Sequence, residues 1–321
     1  MLDSVETLFS SAIRLATPLL FAALGGLLSE RAGVVNIALE GILLVGAFTG
    51  AAVAHVSGSP WVGLLAGMAA GALFGLIHAL MCVPGRADQI VAGTALNILA
   101  VGLTASLGKP LFGVTGSTPA LPLSARFGEW HVPLLGQLPL LGPVLFQHIP
   151  LVYLAVAMAL GVHLLFRRTR FGLRVHAVGE SPDAAAAAGL SVRRLRILSV
   201  TLGGAIAAMG GVFLSVGHAS GFARNMSAGR GYIALAALIL ANWRPVPVLV
   251  ATFVFGLGDA LGILLQGVPL PGVGTVPVQF VQMLPYLLTL AVLVGIGARP
   301  RPPAALGRPW PATGWSVSGG S

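Results

Sequence analysis

The segment ERAGVVNIALEG, residues 30–41, gathers Glu30, Arg31, Asn36 and Glu40 in a chain of which only 8% of residues are charged. Two more polar groups, Asn97 in GTALNILAVGLT and Asp259 in FGLGDAL, also stand inside apolar runs. Carboxylates and amides in such surroundings can relay protons, hold a cation or hydrogen-bond a polar solute. Catalysis has little to build on. The seven histidines are scattered, no H-E-x-x-H or G-x-S-x-G motif occurs, and no nucleophile or metal set accompanies the carboxylates. No enzymatic role, cofactor or metal is therefore expected. A G-x-x-x-x-G-K-[ST] loop is also missing from the sequence, so the chain does not itself cradle ATP in the usual way.

The elements that must carry these groups are set by composition. With 321 residues, 56% of them hydrophobic, and mean hydropathy +0.93, the chain lies outside the range of soluble domains and reads as an all-α polytopic integral membrane protein. A hydrocarbon core takes roughly 20 apolar residues per helix. That pattern predicts spans near 8–29, 34–57, 61–83, 89–107, 150–166, 197–217, 231–241, 246–267 and 279–298: nine, with eight or ten possible because 231–241 is short enough to be broken or re-entrant. Seven arginines between Arg167 and Arg196, and three after residue 298, mark both regions as cytoplasmic and put the N-terminus outside. Arg224 and Arg230 would then lie on the outer side, against the charge rule. The net charge of +9 fits topology and lipid headgroups, not nucleic acid. Asp3 and Glu6 stand where a signal peptide would be basic, so the first helix is expected to stay. The lone Cys82 reads as a small packing residue.

A single transmembrane domain, residues 1–298, follows, with a long outer loop at 108–150, an inner loop at 167–196 and a structureless tail at 299–321. The outer loop's proline and leucine content suits a folded cap or interfacial helix as well as a plain connector. Gly63, Gly67, Gly71 and Gly75 form a small-residue stripe for close helix packing. In the inner loop, Ser181 can cap a helix, Pro182 suits its first position, Asp183 suits its positive end and Gly189 can close it. A two-turn helix results, by itself no more than a capped connector near anionic lipid.

Taken together, LLSERAGVVNIALEGILLVGAF, ADQIVAGTALNILAVGLT, FGLRVHAVGESPDAAAAAGLSV and GRGYIALAALILANWRPVPVLVATFVFGLGDAL resemble, in order, the permease subunits of bacterial binding-protein-dependent ABC importers. The branch is the one handling nucleosides, ribose-like sugars and branched-chain amino acids, and the first block looks most like the nucleoside permeases. This resemblance implies that Ser181, Pro182, Asp183, Ala184, Ala185, Ala186, Ala187, Ala188 and Gly189 match the coupling helix that docks on the ATPase. It also implies a cytoplasmic ATPase subunit, a second permease, identical or related, an external binding protein or lipoprotein, and residence in the inner membrane. Nucleoside is the first expectation for cargo, then simple sugar, then branched-chain amino acid. A self-contained, ion-coupled secondary transporter is the alternative of another class.

Within that frame Glu30 and Arg31 are expected at the hydrated end of the first helix, fixing topology or touching the ATPase. Glu40 is expected about two turns inside the second helix, with Asn36 one turn earlier on the same face. A carboxylate there is costly unless it faces a bundle interior or a wet cavity. The pair either lines or braces the pathway or forms an interhelical hydrogen-bonded lock. Asn97 and Asp259 are candidates for the same cavity, and Phe48, Phe74 and Tyr232 are possible stacking surfaces for a base.

Overall fold

The computed structural model describes residues 2–131, 141–266, 269–270, 274–275, 283, 287 and 301–311. Eleven α-helices lie among them: α1 (Leu2–Arg31), α2 (Leu39–Ser57), α3 (Pro60–Cys82), α4 (Gln89–Phe112), α5 (Leu141–Leu145), α6 (Pro150–Arg168), α7 (Arg170–Glu180), α8 (Pro182–Ala187), α9 (Val192–Val212), α10 (Arg230–Leu240) and α11 (Pro245–Leu265). α9 runs on through a π-helical turn, Phe213–His218. Among the described residues, seven helices are long and apolar enough to cross a membrane, and α10 is a shorter apolar one. The chain is an all-α polytopic membrane protein. The expected span 279–298 falls, apart from Met283 and Leu287, outside the described residues.

α1 packs against α6, α9, α10 and α11, and α9 against α1, α2 and α3. α1 and α2 are mostly buried, whereas α3, α4 and α6 turn Leu65, Leu73, Val91, Leu99 and Leu160 outward, as helices facing hydrocarbon do. The glycine stripe lets α3 reach α2 and α9 at backbone distance. A Cβ on Gly71 would meet the Gly204 carbonyl at 2.5 Å, and one on Gly75 the Val200 carbonyl at 2.7 Å. Gly71→Leu is thus expected to overpack this seam by about 1–3 kcal/mol or more. A fall in the thermal midpoint of the detergent-solubilised protein checks this; an unchanged midpoint would mean the seam is looser than it looks.

Several boundaries differ from expectation. α2 begins at Leu39, not residue 34, because Gly33 takes a left-handed φ of 90° and ends α1, after which Val35 is pinned between two other helices. Its N–H donates to Gln89 Oε1 at 2.7 Å, and its carbonyl lies 2.9 Å from His78 Nε2. The inner loop is largely helical: α7 buries Gly172, Val175, Val178 and Gly179 while Arg174 faces outward, and Thr169 caps it through Gly172 N–H at 3.1 Å. α8 follows, its N-cap Ser181 accepting from Ala184 N–H at 3.4 Å and Gly189 closing the loop at φ 81°. In the 108–150 segment, Trp130–His131 (β1) pairs antiparallel with Gln147–His148 (β2) beside α5. A second small hairpin joins Pro269–Leu270 (β3) to Gly274–Thr275 (β4).

The tail also departs from expectation between residues 301 and 311. Pro303 and Ala305 are buried, Ala305 N–H donates to the Gly179 carbonyl at 2.9 Å, and Gly307 N–H donates to the Gly33 carbonyl at 3.2 Å. The composition suggests a free end, but backbone pairing with distant loops and the stiffness of its prolines hold this stretch in place.

Candidate functional site

Glu40 and Asn97 converge where α2 and α10 begin. α10 has only eleven residues, so at 1.5 Å per residue it rises about 16 Å and cannot cross a hydrocarbon core of about 30 Å. Its first N–H groups have no partner within the helix. Glu40, in the first turn of α2, meets them: Oε1 accepts from Gly229 N–H at 2.8 Å and Oε2 from Gly231 N–H at 2.7 Å. A carboxylate is the group this end favours, because the helix dipole and the unpaired donors point at it. Close approach is required here too, since a Cβ on Gly231 would run into the Glu40 backbone.

Asn97 of α4 ties the start of α2 to the same point. Its Oδ1 accepts from Gly41 N–H at 2.7 Å, and its Nδ2 donates to the Ile37 carbonyl at 3.0 Å and to the Tyr232 hydroxyl at 3.1 Å. Since that hydroxyl accepts from Asn97, its own proton is left to donate elsewhere. Thr94 Oγ1 donates to the Ile90 carbonyl at 2.8 Å and keeps lone pairs to accept. These groups line a cavity of about 410 Å³, with Glu40, Thr94, Asn97, Asn225, Gly229 and Tyr232 on its polar side and Leu44, Ile98 and Val101 on its apolar side. Mixed walls of this kind suit a small solute carrying both hydroxyls or amides and a flat apolar face.

Other expected site residues lie elsewhere. Asn36 precedes α2, so the helical spacing to Glu40 does not apply. It is fully buried, its Nδ2 donating to Ser29 Oγ at 3.1 Å and its Oδ1 having no hydrogen-bond partner among the described residues, and it does not line the cavity. Asp259 sits on α11, away from those walls, and feels the charge of Arg230. Glu30 is not hydrated: it is 2% exposed, accepting from Trp243 Nε1 at 2.5 Å and from Asn36 N–H at 3.5 Å. Arg31 Nε donates to the Trp243 carbonyl at 2.7 Å, so the pair clamps the turn after α10 to the end of α1. Of the aromatic candidates, Phe48 and Phe74 are buried packing residues, with Phe48 edge-on to Phe222, and Tyr232 alone of the three faces the cavity.

Two basic groups near the α7–α9 segment escaped the sequence reading. His176 on α7 is held below the usual histidine pKa by burial and by Arg31, with Glu180 opposing. Arg196, 2% exposed, donates through Nη1 to the Arg308 carbonyl at 2.9 Å, while its Nε and Nη2 have no hydrogen-bond partner among the described residues. An arginine near a helix start in a basic loop looks like a topology signal in the sequence, and its burial comes from the packed tail and the α1–α2 link at Gly33.

Comparison with known proteins fits this architecture. The family described as "Branched-chain amino acid transport system / permease component" matches residues 8–293. The chain belongs to this permease family. Among curated relatives, the permease is 39% identical to the guanosine ABC transporter permease protein NupQ of Bacillus subtilis (strain 168), over 92% of this chain and 93% of that one. It is 36% identical to the nucleoside ABC transporter permease protein NupC of Lactococcus lactis subsp. cremoris, over 91% and 93%. It is also 32% identical to the glucose ABC transporter permease protein TsgB13 of Haloferax volcanii, over 75% of this chain and 66% of that protein. The resemblance drawn from the sequence blocks is borne out, and these relatives are ABC transporter permease proteins.

Proposed function

We propose that this permease carries nucleosides across the plasma membrane as one half of an ATP-driven importer, a separate cytoplasmic ATPase supplying the energy. A second permease, identical or related, would complete the pathway, and an external binding protein or lipoprotein would deliver cargo. The observation that carries the reading is the cavity of mixed polar and apolar walls at the α10 N-terminus, in a chain 39% identical to a guanosine permease over nearly its whole length. Glu40 and Asn97 hold the cavity's frame, Tyr232 offers a hydroxyl proton and a ring, and Thr94 and Asn225 add polar contacts suited to a ribosyl group and a base. Asn36 and Asp259 act from behind this wall, as braces. The loop from Ser181 to Gly189 is the contact for the ATPase, and the basic 167–196 and tail regions face the cytoplasm.

ATP binding on the partner then moves α8, and the helices around the cavity shift between outward-open and inward-open states. The test is uptake of radiolabelled guanosine, with glucose and leucine as controls, into vesicles holding the chain and its partner subunits, with and without internal ATP. ATP-dependent guanosine uptake is expected. Uptake by this chain alone that collapses with the ion gradient would make it a secondary carrier instead, and ATP-dependent uptake of glucose alone would move the cargo to sugars.

A further inference from the structure

We infer that residues 301–311 are a positioning strap that fixes α8, and the loop carrying it, to the transmembrane body so that movement of α8 is passed inward. Five attachments place the strap across four separate parts of the fold. Arg301 N–H donates to Asn242 Oδ1 at 2.9 Å in the turn after α10. Ala304 N–H and Ala305 N–H donate to Glu180 Oε2 at 3.3 Å and the Gly179 carbonyl at 2.9 Å, at the end of α7. Gly307 N–H donates to the Gly33 carbonyl at 3.2 Å in the link between α1 and α2. The Arg308 carbonyl accepts from the buried Arg196 of α9 at 2.9 Å.

The end of the strap reaches α8 itself. Trp310 Nε1 donates to Asp183 Oδ1 at 2.8 Å, and the indole packs with the small apolar cluster of Val178, Ala185, Val192 and their neighbours. α8 is six residues long and contributes one buried side chain, Ala185, so it has little hold of its own on the helices behind it. The strap supplies that hold. It joins α8 to Gly33, which opens the link leading to Glu40, and to Asn242, beside the Trp243 that Glu30 and Arg31 clamp. Both paths end on the elements that frame the cavity. Without the strap, Arg196 would lose its one hydrogen-bond acceptor among the described residues, and α8 could tilt without carrying α2 and α10 along.

This inference rests on α8 being the ATPase contact, so the test separates the two. In proteoliposomes holding the whole transporter, Trp310→Ala is expected to lower solute moved per ATP hydrolysed by roughly threefold or more, with solute KM and ATPase association unchanged. A protease site inserted between residues 308 and 309, cleaved only after assembly, parts Trp310 and its hold on α8 from the bonds at Asn242, Gly179, Gly33 and Arg196, and is expected to lower the ratio likewise. An unchanged ratio in the cleaved transporter overturns the strap, as does a fall in uptake that merely follows loss of bound ATPase. The control is the α8 surface variant Ala187→Glu/Ala188→Glu. If that variant leaves ATP-driven uptake intact, α8 is not the contact and the strap inference falls with it; if it abolishes uptake while strap cleavage does nothing, the strap alone is wrong.

Discussion

Replacing Glu40 with glutamine reduces ATP-driven uptake about tenfold or more, while the protein still reaches the membrane. The carboxylate accepts from Gly229 and Gly231 N–H, and both bonds are charge-assisted at a helix N-terminus. Glutamine keeps one acceptor oxygen but turns its NH2 toward the other N–H, so one bond is lost and two donors face each other. A hydrogen bond to a charged group contributes about 1.5–3 kcal/mol, and 1.4 kcal/mol is a factor of ten in any equilibrium that depends on it. Alanine goes further, since it leaves two buried N–H groups unpaired at about 1–3 kcal/mol each, and it is expected to lower thermal stability as well as transport. Aspartate keeps the charge but is a methylene short, and it should fall between the two. Initial rates of guanosine uptake, normalised to membrane-inserted protein, decide the matter. Wild-type rates in Glu40→Gln would show that the charge is dispensable and that α10 needs only an acceptor.

Glu40 also marks the limit of what the sequence discloses. That a carboxylate in an apolar run must be satisfied follows from the cost of burying charge, and this is legible from residue types alone. Which groups satisfy it is not, because Gly229 and Gly231 lie 189 and 191 residues away. The helical pairing with Asn36 fails for a related reason. Gly33 and two pins on Val35, from residues 43 and 54 positions on, delay the start of α2, and a one-turn spacing means nothing outside a helix. Glu30 resembles a hydrated helix end until Trp243 is folded over it. Asn97 was legible as a polar group in an apolar helix, though its partners at Ile37, Gly41 and Tyr232 were not.

Local signals fared better. α8 is defined by a cap, a proline and a closing glycine within nine residues, all interactions between near neighbours, and the chain folds there as its residues suggest. α7 was missed beside it because its arginines also serve as a topology signal, which hides the buried face formed by Gly172, Val175, Val178 and Gly179. The tail was missed for the opposite reason: nothing in RPPAALGRPW is helical or strongly apolar, and its order comes from carbonyls and side chains on four other segments.

The exposed face of α8 is where the second large effect is expected. The side chains of Ala184, Ala187 and Ala188 are exposed, whereas Ala185 is 4% exposed and packs against Val178 and Val192. A run of alanines left open to solvent is a smooth surface that a complementary groove can cover closely, and it costs no side-chain entropy to bury. Positions 187 and 188 are the last residue and C-cap of α8, where glutamate opposes the helix dipole, and the exposed pair should change the stability of the isolated permease by no more than about 1–2 kcal/mol. The pair puts two charges onto the proposed docking surface, where desolvation without a partner costs several kcal/mol, enough to abolish association at ordinary concentrations. Ala185→Glu should show the reverse pattern, with a lower thermal midpoint because the charge lands in the cluster beneath α8. Co-purification of the ATPase with each variant, alongside thermal midpoints, reads both effects in one preparation. If the 187/188 pair still binds the ATPase and supports uptake, energy enters the permease through another surface, and the arginines flanking α8 serve the membrane alone.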